Sequence, residues 1–148
     1  MQAVIRKAGQ QDLGNLIEFL TRANLGTDGV STETVEYFLL LEDEVGNILG
    51  SLGLEAFQGF GLLRSLVVSS GQAEKEIFIL FTHMLQLAKE KDMRYLYLAT
   101  NKTVTLPFFD LLGFQPIERD EIPSEFYDSE HIRHILNVDN SLFLKFSI

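Results

Sequence analysis

Apolar residues follow two different spacings along this chain, one helical and one extended. Two long stretches carry an apolar residue at every third or fourth position, which places these side chains on one face of an α-helix. The positions are Leu13, Leu16, Ile17, Leu20 and Ala23 in the first stretch, and Ile77, Leu80, Phe81, Met84, Leu85 and Ala88 in the second. Asn24 and Gly26 predict the end of the first helix.

Seven shorter runs of aliphatic, β-branched and aromatic residues predict β-strands. They cover residues 3–7, 38–41, 48–54, 62–68, 94–99, 114–117 and 142–146. We expect the apolar run near the middle of the chain, residues 62–68, in the centre of the sheet. Short helices are predicted from Ser31, whose hydroxyl can cap a helix, and over residues 106–112, where Gly113 provides a left-handed end. Residues 120–140 are polar, and their pattern assigns no element.

The order of these elements predicts a single domain over residues 1–148, of class α/β (α+β), with a mixed sheet and helices on both faces. A strand, a helix and a strand follow each other between residues 62 and 99, which is typical of a parallel βαβ unit. Ligands of such sheets bind where neighbouring strands diverge and a helix begins. We therefore expect a binding site between Val68 and Ile77.

Charge and composition narrow the classes of function. The 148 residues contain 12 Lys and Arg against 21 Asp and Glu, a formal net charge of −9. This balance lacks the positive footprint that nucleic-acid backbones and anionic membranes require, so we expect neither partner. The absence of cysteine excludes disulfides, thiolate nucleophiles and Cys-ligated zinc. No signal segment and no apolar run of about 18 residues occurs, which predicts a cytoplasmic protein.

Three segments resemble the GCN5-related N-acetyltransferase (GNAT) superfamily. Residues 62–68, with the loop and apolar helix after them, are similar to its cofactor-binding strand, loop and helix. Residues 96–101 resemble its next strand, and residues 107–114 match its aromatic helix ending in Gly-Phe. Residues 53–55 together with 62–66 are similar to the arsinothricin-type branch. The resemblance implies a GNAT-like, mostly antiparallel twisted sheet and an N-acetyltransferase that uses acetyl-CoA.

The resemblance also places the cofactor. Backbone N–H groups of the family's loop, Arg/Gln-x-x-Gly-x-Gly/Ala, hold the pyrophosphate at a helix N-terminus. The implied cofactor-binding residues in this chain are Val68, Ser69, Ser70, Gly71, Lys75, Asn101 and Phe108. Glu74 and Glu76 stand where the family has glycines, and they add negative charge facing a polyanion. In the alternative interpretation they are first-turn acids that stabilise the helix dipole, in a chain that binds CoA poorly.

Acetyl transfer to an amine requires a polarised carbonyl, a deprotonated amine and a protonated leaving thiolate. The resemblance implies that the backbone N–H of Val68 polarises the carbonyl, and Glu55, near a strand end, is the candidate base. The family's acid is often a tyrosine, but Phe109 occupies that position. Water is a candidate proton source, and Tyr95 and Tyr97 either serve as alternatives or pack on the sheet. Arg64 interrupts an apolar strand. It captures a substrate carboxylate, forms an internal ion pair, with Glu55 for example, or points outward.

Other polar residues have two interpretations each. Thr100 and Asn101 end a strand, where they could bind the substrate or the pantetheine arm. In the alternative interpretation, Asn101 caps the next helix. Glu130, His131 and His134 lie close in sequence, but a lone His-x-x-His is a weak metal signature, and we expect a surface cluster and no metal.

The prediction for function is an acetyl-CoA-dependent N-acetyltransferase acting on the amine of a small, carboxylate-bearing molecule. The alternative is a non-catalytic binding or regulatory protein with the GNAT fold that has lost acetyl-CoA affinity. An open sheet edge also leaves a homodimer as an expectation.

Overall fold

The computed structural model describes residues 4–68, 73–100, 105–128 and 142–148. In this part of the chain the strands are β1 (Val4–Lys7), β2 (Phe38–Glu42), β3 (Ile48–Ala56), β4 (Phe60–Val68), β5 (Tyr95–Thr100), β6 (Gln115–Ile117) and β7 (Leu142–Ser147). The α-helices are α1 (Leu13–Arg22), α2 (Ala73–Glu90) and α3 (Leu106–Leu112). Short 3-10 helices include Val35–Tyr37 and Ser124–Asp128.

The strands form one seven-stranded sheet in the order β1-β2-β3-β4-β5-β7-β6. The pairing of β4 with β5 is parallel, and the other neighbouring pairs are antiparallel. This confirms the predicted mixed, mostly antiparallel sheet with the strand of residues 62–68 at its centre. The last strand, β7, lies inside the sheet between β5 and β6, so β1 and β6 are the edges. The expected homodimer stays a prediction.

Helices cover both faces of the sheet, as the sequence predicts. Side chains of a strand alternate between the two faces, and β2 shows this directly, since all four of its leucine and phenylalanine side chains are buried. Leu39 and Leu41 pack in the same core as α2, which defines the α2 face. Phe38 and Leu40 pack with Leu16 and Leu20 of α1, which defines the α1 face. Helix α3 also packs on the α2 face.

A cluster of aromatic rings closes the β5 side of the α1 face. Phe126, which is fully buried, has its ring centroid 4.9 Å from that of Phe57, 5.5 Å from Phe60 and 5.1 Å from Tyr97. These contacts hold the 3-10 helix Ser124–Asp128 against the sheet. The polar segment after residue 120, to which the sequence pattern assigns no element, therefore contributes Ile122 and Phe126 to the core.

The predicted short helix after Ser31 is reduced to the single 3-10 turn Val35–Tyr37. Two side-chain contacts explain the difference. The Thr34 hydroxyl Oγ1 donates to the carbonyl of Gly29 at 2.5 Å and accepts from the backbone N–H of Ser31 at 3.0 Å. Such local bonds offer the backbone an alternative to a helix. The predicted helical ends are confirmed, because Asn24 and Gly113 both have positive φ, 61° and 110°.

No helix in the described ranges combines the length and the apolar character that crossing a membrane requires.

Gly53 leaves room for a neighbouring ring. A Cβ built at this position would lie 2.4 Å from Cε2 of Phe38, whose side chain is buried. We expect Gly53→Ala to lower the free energy of unfolding by about 1–3 kcal/mol, because the ring must move within a packed core. Urea denaturation measures this change.

The matched control is Gly14→Ala in α1, where a Cβ meets nothing within 4 Å. This variant should gain about 0.5–1 kcal/mol, since alanine is the better helix former. If the urea midpoints of Gly53→Ala and Gly14→Ala shifted in the same direction, the close contact between Gly53 and Phe38 would be contradicted.

Candidate functional site

The central parallel strands part soon after they meet. β4 and β5 pair at three positions, Phe60 with Tyr95, Gly61 with Leu96 and Leu62 with Tyr97. β4 continues to Val68 and β5 to Thr100, and the described residues record no pairing between these ends. A cleft therefore opens between the carboxyl ends of the two strands, where ligands of such sheets bind. The sequence predicts a binding site between Val68, at the end of β4, and Ile77 in α2, and binding there stays a prediction.

A β-bulge shapes the β4 wall of this cleft. Gly53 lies opposite Arg64, but Ser51 lies opposite Val67, so β4 contains one residue more than β3 between these pairs. Ser65 in the bulge has a φ of 57°, and its carbonyl accepts a hydrogen bond from the buried Ser51 hydroxyl at 2.7 Å. The extra residue reverses the alternation of backbone groups in the last part of β4. The bulge therefore determines which amides of this strand, Val68 included, point away from β3.

Glu55 lies at the closed end of the cleft. It is opposite Leu62, the last residue of β4 that pairs with β5. Two residues earlier on the same strand, Gly53 faces the ring of Phe38 in the α1-face core. Since residues two apart share a face, Glu55 lies on the α1 face, half-buried. A carboxylate placed there can accept a proton from a ligand that enters the cleft.

Arg64 is diagonal to Glu55 on the same face and is only 7% exposed. Its Nη1 donates to the carbonyl of Asp28 at 2.6 Å, and its Nη2 donates to that of Gly26 at 3.4 Å. Burial lowers the pKa of the guanidinium, and the charges of Glu55 and Asp28 oppose this change. The two predicted residues Glu55 and Arg64 are thus brought together, while the carboxylate-binding role of Arg64 stays a prediction.

The helix after the cleft begins with charged residues. α2 starts at Ala73, so Glu74, Lys75 and Glu76 all lie in its first turn. Lys75 is exposed and Glu76 is half-buried. The predicted cofactor residues Ser69, Ser70 and Gly71 lie outside the described residues, as does Asn101. Their roles stay predictions.

The aromatic helix α3 packs mainly in the core. Phe109 is 7% exposed and lies 5.9 Å from the ring of Phe114, and Phe108, a predicted cofactor residue, is half-buried beside it at 5.7 Å. The side chain at the position of the family's tyrosine therefore fills space against the sheet. Thr100 is half-buried at the end of β5.

Metal binding has no support in the described ranges, which hold no group of three or more His, Asp or Glu side chains placed to bind an ion. Glu130, His131 and His134 lie outside the described residues.

The sequence interpretation missed three contributors to the site: Ser51, Ser65 and the loop around Gly26 and Asp28. Ser51 and Ser65 interrupt apolar strands, which is the one signal that could have found them. Nothing in the spacing indicates that the loop after α1 reaches a residue 36 positions later in the chain.

The chain is similar in sequence to one bacterial protein and in fold to solved acetyltransferase structures. No protein-family model matches the sequence. The uncharacterised protein YwlB of Bacillus subtilis strain 168 is 32% identical over 142 residues, which is 95% of each chain. N-acetylglutamate synthase from Neisseria gonorrhoeae, solved with coenzyme A and N-acetyl-glutamate, has a TM-score of 0.79 at 22% identity. It matches 99% of this chain, which spans only 35% of the synthase chain.

A second solved structure covers the same length as this chain. An acetyltransferase of the GNAT family from Staphylococcus aureus Mu50 has a TM-score of 0.71 at 22% identity, over 99% of both chains. These likenesses confirm the predicted GNAT fold. The assignment to the arsinothricin-type branch stays a prediction.

Proposed function

Because this chain belongs to the protein family of YwlB from Bacillus subtilis and has the GNAT fold, we propose that it is an acetyl-CoA-dependent N-acetyltransferase. The observation that carries the proposal is the cleft between β4 and β5, with a bulge in one wall and the carboxylate of Glu55 at its closed end. This arrangement offers a groove for a long thioester and a base at the point where an amine would meet it.

The start of α2 has some groups that favour binding of the cofactor's pyrophosphate and others that oppose it. The 18-residue helix α2, which begins at Ala73 after β4, has free amide N–H groups in its first turn, and Lys75 adds a cation there. Ser69, Ser70 and Gly71 would complete the cradle. Glu74 and Glu76 oppose it, because like charges about 4 Å apart repel by about 1 kcal/mol in water and about 4 kcal/mol near a protein surface.

Separate groups of the chain would polarise the thioester, accept the amine proton and bind the acceptor. When bound, acetyl-CoA supplies the thioester that carries the acetyl group. The Val68 amide would donate to the thioester carbonyl, and Glu55 would take the proton of the attacking amine, directly or through a water molecule. Phe109 has no proton to give, so water would protonate the leaving thiolate. Thr100, at the end of β5, would bind the acceptor.

The acceptor is the finer part of the proposal. We infer an amine on a small carboxylate-bearing molecule, because the similar synthase structure holds N-acetyl-glutamate beside coenzyme A. The free amino acid is the corresponding acceptor class for this chain.

Isothermal titration calorimetry with acetyl-CoA tests the proposal at its first step. We expect binding at millimolar ligand or below, and a double variant Glu74→Gly with Glu76→Gly should bind about 10-fold more tightly, equivalent to about 1.4 kcal/mol. Gln86→Gly is the control, because it places glycine at an exposed position of the same helix without removing a charge.

Absence of heat for both the parent chain and the double variant would exclude the transferase. That result would leave the second candidate, a non-catalytic binding or regulatory protein that keeps the fold, and it would show that the two first-turn glutamates alone do not account for the loss of binding. An unchanged affinity in the double variant alone would place the pyrophosphate elsewhere.

A further inference from the structure

The loop between α1 and the 3-10 turn Val35–Tyr37 is tied to the centre of the sheet by Arg64. The guanidinium donates to two loop carbonyls, those of Asp28 and Gly26. A buried cation costs several kcal/mol unless fixed partners replace its water. The hydrogen bonds to the loop supply such partners, so the loop and the guanidinium hold each other in place.

Two further contacts keep the loop close to β4. Gly29 has a φ of 79°, and a Cβ at this position would lie 3.4 Å from Nη1 of Arg64. The next residue, Val30, is buried in the α1-face core. The loop is therefore fixed at neighbouring points by a polar contact and by an apolar one.

Arg64 also contacts the bulge. Its Nε donates to the Ser65 hydroxyl at 3.3 Å, and the Ser65 carbonyl accepts from Ser51. One side chain thus connects the strained backbone of the cleft wall with the loop after α1. Glu55 is on the same face and diagonal to Arg64, and the charges of Glu55 and of the loop residue Asp28 both act on the guanidinium. The loop and the proposed base therefore lie near the same side chain.

We propose that Arg64 is a positioning residue that holds the loop of residues 24–30 as one wall of the acceptor site beside Glu55. This inference rests on the proposed transferase function for its catalytic meaning. A planar guanidinium can serve two carbonyls at once, whereas an ammonium group is a single point of charge. Arg64→Lys should therefore keep the charge but hold the loop less firmly.

A fluorescence reporter tests the loop without any assay of turnover. The chain contains no tryptophan, so Leu25→Trp, at a 37% exposed loop position, provides a single probe. In this background Arg64→Met should raise the acrylamide quenching constant about two-fold, because the released loop opens locally. The constant of Arg64→Lys should lie between those of Arg64→Met and of the Leu25→Trp parent. Arg22→Met is the control, since Arg22 is an exposed partner of Glu18 at the end of α1.

The quenching result is interpreted together with urea midpoints. Equal quenching in Arg64→Lys and the parent chain, with both folded, would overturn the proposal. This result is independent of acetyl-CoA, so it distinguishes a failure of the loop assignment from a failure of the transferase assignment.

Kinetics with paired acceptors separate positioning from direct binding. We expect Arg64→Lys to raise the acceptor KM about 10-fold for an amino acid and equally for its decarboxylated amine, with the Kd of acetyl-CoA unchanged. A loss confined to the amino acid would mean that the guanidinium binds the carboxylate itself, and would overturn the positioning role.

Discussion

Glu55→Gln is expected to lower kcat/KM for acetyl transfer by about 100- to 10,000-fold, which is the usual contribution of a positioned general base. Glutamine keeps the size and the hydrogen-bonding capacity of the side chain but cannot accept a proton from an ammonium group. Because Glu55 lies at the end of β3 on the α1 face, half-buried, we expect the fold to tolerate the change. The acetyl-CoA Kd should stay the same, since the base does not contact the phosphate end.

Release of the CoA thiol, followed with a thiol reagent and an amino acid acceptor, measures this loss. Glu36→Gln is the matched control, because Glu36 is an exposed acid on the 3-10 turn Val35–Tyr37. Full activity of Glu55→Gln would remove Glu55 from the mechanism.

Phe126→Ala is expected to lower the free energy of unfolding by about 3–5 kcal/mol, as is usual when a fully buried phenylalanine becomes alanine. The ring contacts Phe57, Phe60 and Tyr97, and alanine would leave a cavity among them. The helix Ser124–Asp128 would then lose its main apolar contact with the sheet.

Urea denaturation of the variant and of a surface control gives the test. Leu111→Ala is the control, since this leucine is 86% exposed on α3 and should change stability by less than about 0.5 kcal/mol. A loss below about 1 kcal/mol for Phe126→Ala, well under the scale expected for core phenylalanines, would mean that this segment does not pack on the aromatic cluster in solution.

Much of the fold was predictable because its elements carry strong local signals. The helical spacing of apolar residues in α2 and the glycine after α3 can be recognised from neighbouring residues in the sequence. The central position of β4 followed from its apolar character, since a strand covered on both faces needs apolar residues on both.

The details of the site depend on contacts between distant parts of the chain. The bulge at Ser65 exists because β3 and β4 pair with a shift, and the register of two strands is not encoded in either alone. Arg64 could be identified as unusual, but its partners lie on a loop that the sequence describes only as a connection. Phe126 stands in a polar segment without periodicity, so its burial had no local signal.

The short parallel pairing of β4 with β5 forms a seam between two parts of the sheet. In the described residues, four strands lie on one side of this seam and three on the other, and three backbone-paired positions join β4 to β5. A molecule wedged between the strands would act as an additional link across the seam, and its binding energy would add to the cohesion of the whole protein. The proposed ligand of this cleft would therefore make the melting temperature of the sheet depend on ligand concentration.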